Sequence, residues 1–244
     1  MKVAGSVALV TGANGGIGRA LVSELLARGA AKVYVGVRDV AAAKSISDDP
    51  RLVPLALDLT RPEDIVGAAH AASDVTLIVN NAGTSSFTGA LSAKNLNAAR
   101  QEMEVNYFGP LALVQAFRDA PALKAGGAII NVLSIVSILT IPAAGTYSAS
   151  KAAALALTRT LGAELKGREV QVLGALPVQT ETPLGQAFPE PRLQPSDVAT
   201  GILDALEAGQ SEVFPGGASQ GVAQAFAADP AGLQARFATL VHPI

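Results

Sequence analysis

The sequence predicts an α/β protein: a doubly wound parallel sheet of about seven strands with helices on both faces. Three observations carry that expectation. Short apolar runs of strand length alternate with longer stretches patterned for helix. The runs are continuously apolar rather than alternating, as in strands buried on both faces. The chain has 244 residues, 50% of them hydrophobic and 16% charged, enough to bury one sizeable core.

The elements follow in order. Residues 7–10 form an apolar run of strand length. Over 17–28, Ile17, Leu21 and Leu25 recur at helical spacing with Val22 and Leu26 beside them, and Gly29 stops the helix. Strands are expected at 32–37 and 53–57. A helix over 61–72 has Pro62 suited to its first turn. The fourth strand, 75–79, is rich in β-branched residues. A long helix runs roughly over 92–117, interrupted near Gly109-Pro110. A fifth strand covers 128–133, an alanine-rich helix 147–167, and a sixth strand 170–176. Ser196 reads as the N-cap of a helix reaching Gly209, and 212–214 as a last short strand. The stretch 182–195 carries Pro183, Pro189, Pro191 and Pro195 and reads as a substrate flap leaving the sheet. The tail after Gly216 is expected to be helical. The whole of 1–244 reads as a single domain.

Composition excludes several functions. Lys and Arg number 18 against 20 Asp and Glu, a net charge of −2. That leaves no broad basic face for duplex nucleic acid. With His70, His242 and no cysteine, a Cys/His zinc site, a disulfide framework and a thiol nucleophile cannot be built. No metal is expected. The first residues lack the longer apolar region and small-residue cleavage site of a signal peptide, and no run approaches 18 apolar residues. A soluble, cytoplasmic protein with no membrane partner is expected.

After the first strand comes Thr11-Gly12-Ala13-Asn14-Gly15-Gly16-Ile17-Gly18. Gly12 permits a tight turn, Gly16 lets backbone approach a pyrophosphate, and Gly18 permits close helix–strand packing. An anion at the following helix N-terminus would meet free N–H groups and the positive end of the dipole. A strand before and a helix after are the context such a site requires.

The spacing Thr-Gly-x-x-x-Gly-x-Gly resembles the short-chain dehydrogenase/reductase family. The resemblance runs from about Val7 to Leu206. It includes Asp58 after the third strand, Asn80-Asn81-Ala82-Gly83 after the fourth, Asn106 in the long helix, Ser134 after the fifth, and Tyr147-Ser148-Ala149-Ser150-Lys151 opening the next helix. It implies a Rossmann-like fold and a nicotinamide dinucleotide. Gly12, Asn14, Gly16, Ile17, Gly18, Asp58, Asn80, Ala82 and Gly83 would line the cofactor. Pro177, Val178, Thr180 and Thr182 would face the nicotinamide amide. The family commonly has glycine where Val178 stands, and a branched residue needs an ordinary φ. Contacts around Val178 are therefore expected to be shifted.

Tyr147 and Lys151 are four apart and share one helix face. A phenol with a pKa of about 10 is a poor acid or base at neutral pH, and a nearby ammonium lowers that value. A lowered Tyr147 could then exchange a proton with a developing alkoxide. The resemblance implies the rest: Ser134, rather than the neighbouring Ser137, holds the substrate oxygen. Lys151 also bonds the cofactor ribose, as part of a site shared with Tyr147, and Asn106 fixes a water. The second strand ends Val37-Arg38-Asp39. By family alignment Val37 takes the place of the acidic residue that NAD enzymes use on the ribose, and Arg38 the place that meets a 2′-phosphate. The expected cofactor is NADP(H).

The pocket is expected from 85–88, 135–144 and 184–193. Those loops supply Phe87, Ile135, Val136, Ile138, Leu139, Leu184 and Phe188, with Arg192 as their only basic residue. An apolar ketone or aldehyde is the expected substrate, in a carbonyl reductase working as a homodimer or homotetramer. The alternative is a redox sensor of the same fold that binds the dinucleotide without turnover. A further pattern, Gly217-x-Ser219-x-Gly221 followed by Asp229 and His242, matches a serine hydrolase. It lacks the strand–elbow–helix context, and only 23 positions separate Ser219 from His242.

Overall fold

The computed structural model describes residues 1–43, 46–188 and 190–240. Its strands are β1 Val7–Thr11, β2 Lys32–Val37, β3 Leu52–Ala56, β4 Leu77–Asn80, β5 Ala128–Val132, β6 Gln171–Ala175 and β7 Glu212–Val213. They form one parallel sheet in the order β3-β2-β1-β4-β5-β6-β7. The helices are α1 Gly16–Ala27, α2 Val40–Ala43, α3 Pro62–Ala71, α4 Asn97–Met103, α5 Gly109–Ala116, α6 Gly145–Leu165, α7 Pro195–Glu207, α8 Gly216–Ala228 and α9 Pro230–Phe237. None of the described helices is long and apolar enough to cross a membrane.

Alternate strand residues feed two apolar layers. Ala8, Val10, Val33 and Val35 meet Leu21, Val22 and Leu25 of α1 and Val198, Ile202 and Leu206 of α7. Leu9 and Ile78 point the other way, onto Ile65 of α3, Leu113 of α5 and Phe117. Ile129 and Val172 meet Leu157 and Leu161 of α6 on that same side. Both faces are covered, which is why the strands read as unbroken apolar runs. The chain leaves β1 toward β2 and β3, then crosses back so that β4 lies on the other flank of β1. Loops diverge at that reversal and open a crevice over the carboxyl ends of the strands.

Four local features differ from expectation. The long helix starts at Asn97, not 92, because nearby side chains take the backbone donors first. Ser92 Oγ accepts the Gly89 N–H at 2.9 Å and Asn95 Oδ1 the Asn97 N–H at 2.9 Å. The interruption is a wide π turn over Glu104–Phe108, ahead of Gly109-Pro110. Pro110 has no N–H to give the carbonyl four residues back, that of Asn106, so the ladder widens there. Ser196 lies inside the first turn of α7 rather than capping it. Gln194 is the cap and Pro195, with its φ already helical, opens the helix. Helix α2 was not foreseen; Asp39 Oδ1 accepts the Ala41 N–H at 2.9 Å and starts it.

The layering has a direct test. Leu21 is fully buried between α1, α7 and the sheet, whereas Val66 on α3 is 52% exposed. Leu21→Ala is expected to cost about 2–5 kcal/mol and Val66→Ala to stay within about 0.5 kcal/mol, read by chemical denaturation. Equal costs would place α1 outside the core.

Candidate active site

The site begins where β1 ends. Gly12 turns the chain with φ of 61°, in the left-handed region. A Cβ there would lie 3.0 Å from the Ala82 backbone. At Gly18 a Cβ would run into the Gly12 carbonyl and the Asn81 side chain, so its absence lets α1 seat against the turn. Gly16 makes room for something unforeseen: the Thr182 side chain occupies the space its Cβ would need. Helix α1 starts with no side-chain cap and no acidic residue in its first turn. Its free N–H groups and the positive end of its dipole face the crevice.

That crevice is a cleft of about 760 Å³, within the usual range for small-molecule sites. All but two of the expected site residues line it. Gly12, Asn14, Gly16, Ile17 and Gly18 form one wall, with Arg38, Asp58, Ala82 and Gly83 further along. Ser134, Tyr147, Lys151, Pro177, Val178, Thr180 and Thr182 line the remainder. Among the described residues, no group of three or more His, Asp or Glu is placed to hold a metal ion.

The two exceptions are asparagines. Asn80 is buried beneath the cleft, donating from Nδ2 to Asn131 Oδ1 at 2.7 Å. Its neighbour Asn81 lines the cleft instead. Asn106 sits in the wide turn, 2% exposed. Its Oδ1 accepts the Thr84 N–H, and its Nδ2 donates to the Thr84 carbonyl and to Ser150 Oγ, each at 2.9 Å. The side chain thus ties the loop after β4 to α6.

Tyr147 and Lys151 lie one turn apart on α6, both buried. Lys151 Nζ donates to the Val132 carbonyl at the end of β5, at 2.9 Å, and lies 5.9 Å from the centre of the Tyr147 ring. Ser134 faces the cleft. Ser137 does not: its Oγ accepts the Ser134 N–H at 3.4 Å. Burial pushes the Tyr147 phenol up, although Ser134 beside it works the other way. Burial also pulls the Lys151 ammonium down to about 8. The net direction at the phenol is therefore upward, because loss of water around the ring dominates.

The Val178 backbone is not among the described residues with positive φ. Its N–H donates to Ser219 Oγ at 3.1 Å. Ser219 is fully buried in α8, and Asp229 caps α9 by accepting the Gly232 N–H at 2.9 Å. The hydrolase-like pattern is thus a packing and capping feature; His242 lies outside the described residues.

The opposite end of the cleft is apolar. Ile135, Val136, Leu184 and Phe188 line it as expected. Phe87, Ile138 and Leu139 stand behind, in the apolar cluster around Tyr147. Arg192 does not serve the pocket. It donates to Glu181 Oε2 and to the Phe188 carbonyl, each at 2.7 Å, and pairs with Glu190. Pro189 lies outside the described residues. The sequence reading missed Ala218 and Val222 of α8, Phe237 of α9 and Leu240, which also line the cleft. The available signal was a helical tail whose apolar residues had no assigned core. Gln234 stitches α9 to the loop after Ser134: its Oε1 accepts the Thr140 N–H and its Nε2 donates to the Thr140 carbonyl, both at 2.9 Å.

Comparison with known proteins agrees with this geometry. A family model described as short chain dehydrogenase matches residues 6–192. The short-chain dehydrogenase PC-15 of Penicillium crustosum is 38% identical over 185 residues, covering 73% of this chain and 67% of that protein. Among the first curated relatives, the matched stretch spans about a third to two thirds of their own length. A short chain dehydrogenase from Burkholderia cenocepacia, solved in complex with NADP, superimposes with a TM-score of 0.91 at 43% identity over 100% of both chains. The Brucella melitensis 3-ketoacyl-(acyl-carrier-protein) reductase, complexed with NADH, does so with a TM-score of 0.77 at 25% identity, over 83% of this chain and 91% of that one. With the family model matching most of the chain and the parallel sheet beneath it, this chain belongs to the short-chain dehydrogenase/reductase family.

Proposed function

We propose that the chain is an NADP(H)-dependent carbonyl reductase acting on an apolar ketone or aldehyde, or on the matching alcohol in reverse. One observation carries the reading: Ser134, Tyr147 and Lys151 share a cleft with an uncapped helix N-terminus. The donor set there suits a dinucleotide. The α1 N-terminus and the turn 12–18 would take the pyrophosphate, and Arg38 the 2′-phosphate. Asp58, Ala82 and Gly83 would border the adenosine, Lys151 the ribose, and 177–182 the nicotinamide amide. When bound, the nicotinamide supplies or accepts the hydride.

The protein's part is to hold the oxygen and move one proton. Ser134 donates to the carbonyl oxygen. Tyr147 gives that oxygen its proton as negative charge develops. Lys151, held by the Val132 carbonyl, adds positive charge that favours the phenolate left behind. The apolar wall excludes water and so strengthens these interactions. A redox sensor would need neither phenol nor ammonium in the cleft, and both are there.

Further observations support the finer reading. Val37 stands where an acid would repel a phosphate, and Arg38 lies on the cleft. Asp39, the neighbouring carboxylate, is turned to the start of α2. The Burkholderia relative, 43% identical over the whole chain, was solved with NADP, and the more distant Brucella one with NADH. Among the described lining residues the cations are Arg38 and Lys151, which leaves no basic group for an anionic substrate. We take 1–244 as one catalytic domain, with 182–195 as its flap, working in the cytoplasm as a homodimer or homotetramer. The exposed apolar Leu96 and Phe108 beside α4 and α5 support that pairing.

Tyr147→Phe is expected to lower turnover of an apolar ketone by about 10²–10⁴-fold while cofactor binding, followed by fluorescence, is kept. Near-full activity would remove Tyr147 from the reaction. Reduction should also weaken as pH rises through about 8, the value to which burial lowers Lys151. The sign follows from the charge: the ammonium is needed, and a lowered value means that it is lost earlier than from a free lysine. A kcat profile flat through that region would contradict the role. Wild type should prefer NADPH. The double change Val37→Asp with Arg38→Leu should cut that preference by about ten- to a hundredfold in kcat/KM, the worth of a charged hydrogen bond. An unchanged preference would show that Arg38 does not read the phosphate.

A further inference from the structure

Glu102 is a buried carboxylate that carries no proton in the proposed transfer, although its charge adds to the upward push on the Tyr147 phenol. It lies on α4, one helical turn before Asn106, and is 1% exposed. Its Oε1 accepts the Ser86 N–H at 2.7 Å and the Ser86 hydroxyl at 2.8 Å. Its Oε2 is buried with no hydrogen-bond partner. A carboxylate buried in this state is costly, and an apolar side chain would pack there without that cost.

What Glu102 holds is a short strained loop. Asn106 grips Thr84 on both sides of its peptide, and Glu102 grips Ser86, so two side chains of one helix clamp alternate loop residues. The next residue, Phe87, has φ of 50°, a conformation bulky side chains rarely adopt. Such strain persists only where the surroundings over-determine it, and it collects at ligand clamps. Ser85 Oγ accepts the Phe87 N–H at 3.2 Å, and Ser86 Oγ meets Thr88 Oγ1 at 2.9 Å. Held this way, the Phe87 ring meets Phe188 edge to face, with centroids 5.5 Å apart. Phe188 lines the cleft, and both rings pack into the cluster that contains Ile135, Val136 and Tyr147.

We propose that Glu102 is a positioning residue for substrate: through Ser86 it sets Phe87 behind Phe188, which is the aromatic wall of the pocket for an apolar carbonyl compound. The substrate part rests on the carbonyl reductase reading above. The clamp itself is a packing arrangement and can be read without turnover.

The chain contains no tryptophan, so Phe188→Trp creates a single reporter. In that background Glu102→Ala should raise acrylamide quenching several-fold. Glu102→Gln, which keeps an acceptor oxygen for Ser86, should leave it near the parent value. Phe87→Ala spares the buried carboxylate and should repeat the rise; combined with Glu102→Ala it should add nothing, because both act through one ring. In the native background, Glu102→Ala should raise KM for apolar ketones by about two- to tenfold, the worth of one aromatic pair, with NADPH affinity little changed. Unchanged quenching in Glu102→Ala, a Gln variant that behaves like Ala, or additive effects of the two changes would overturn the clamp. The expected quenching pattern in a protein that reduces no apolar ketone would uphold the clamp and sink the substrate reading.

Discussion

A clasp between two strands underlies the rest of the site. Thr11 ends β1 and Asn81 follows β4, seventy positions later. Thr11 Oγ1 accepts the N–H groups of Asn81 and Ala82, each at 3.0 Å, while Asn81 Nδ2 donates to the carbonyls of Thr11 at 2.9 Å and Gly12 at 3.2 Å. These bonds close the sheet at the point where the strand order reverses, and past which no ladder could continue. The glycine turn leans on one side of the clasp and the loop carrying Thr84 to Phe87 leaves from the other. Moving either strand end would move both ends of the cleft together.

Burial sets the chemistry above that clasp. Tyr147 and Lys151 lie on the same face of α6, but what matters is that both are taken out of water at the end of β5. Desolvation favours the neutral form of each, so it raises the phenol and lowers the ammonium. The Val132 carbonyl gives the ammonium a partner and fixes its direction. The result is a phenol pushed up beside an ammonium pulled down, bordered by apolar walls. Those walls come from four separate parts of the chain, including the C-terminal α8 and α9.

Much of the cleft was legible because its motifs are local. The glycine turn, the Tyr147–Lys151 pair and Ser134 each depend on a few adjacent residues and on the element they begin or end. The errors arose where a residue's partner is distant in sequence. Asn80 and Asn81 are equivalent on paper; only the pleat decides that Asn80 goes under the sheet and Asn81 into the cleft. Arg192 looked like a pocket cation until Glu181 and Glu190 were found on it. The Ser219 pattern lacked the context of a nucleophile, but its actual partner, the Val178 N–H, lies 41 positions away and could not be read from the pattern. Glu102 carried no signal, since its burial follows from the packing of α4 on α6 and a loop that no periodicity describes.

By itself the sequence determined the alternation of strand and helix, the parallel sheet, the glycine turn and the family. Each follows from short-range patterning: apolar runs of strand length, helical spacing, and glycines where backbone must approach closely. Only the tertiary structure decided which side chains face the cleft, which cations are paired away from it, and in which direction Tyr147 and Lys151 are shifted. Those properties depend on desolvation and on hydrogen bonds between segments tens of residues apart. A one-dimensional pattern holds neither quantity, because both arise only when the packed layers exclude water.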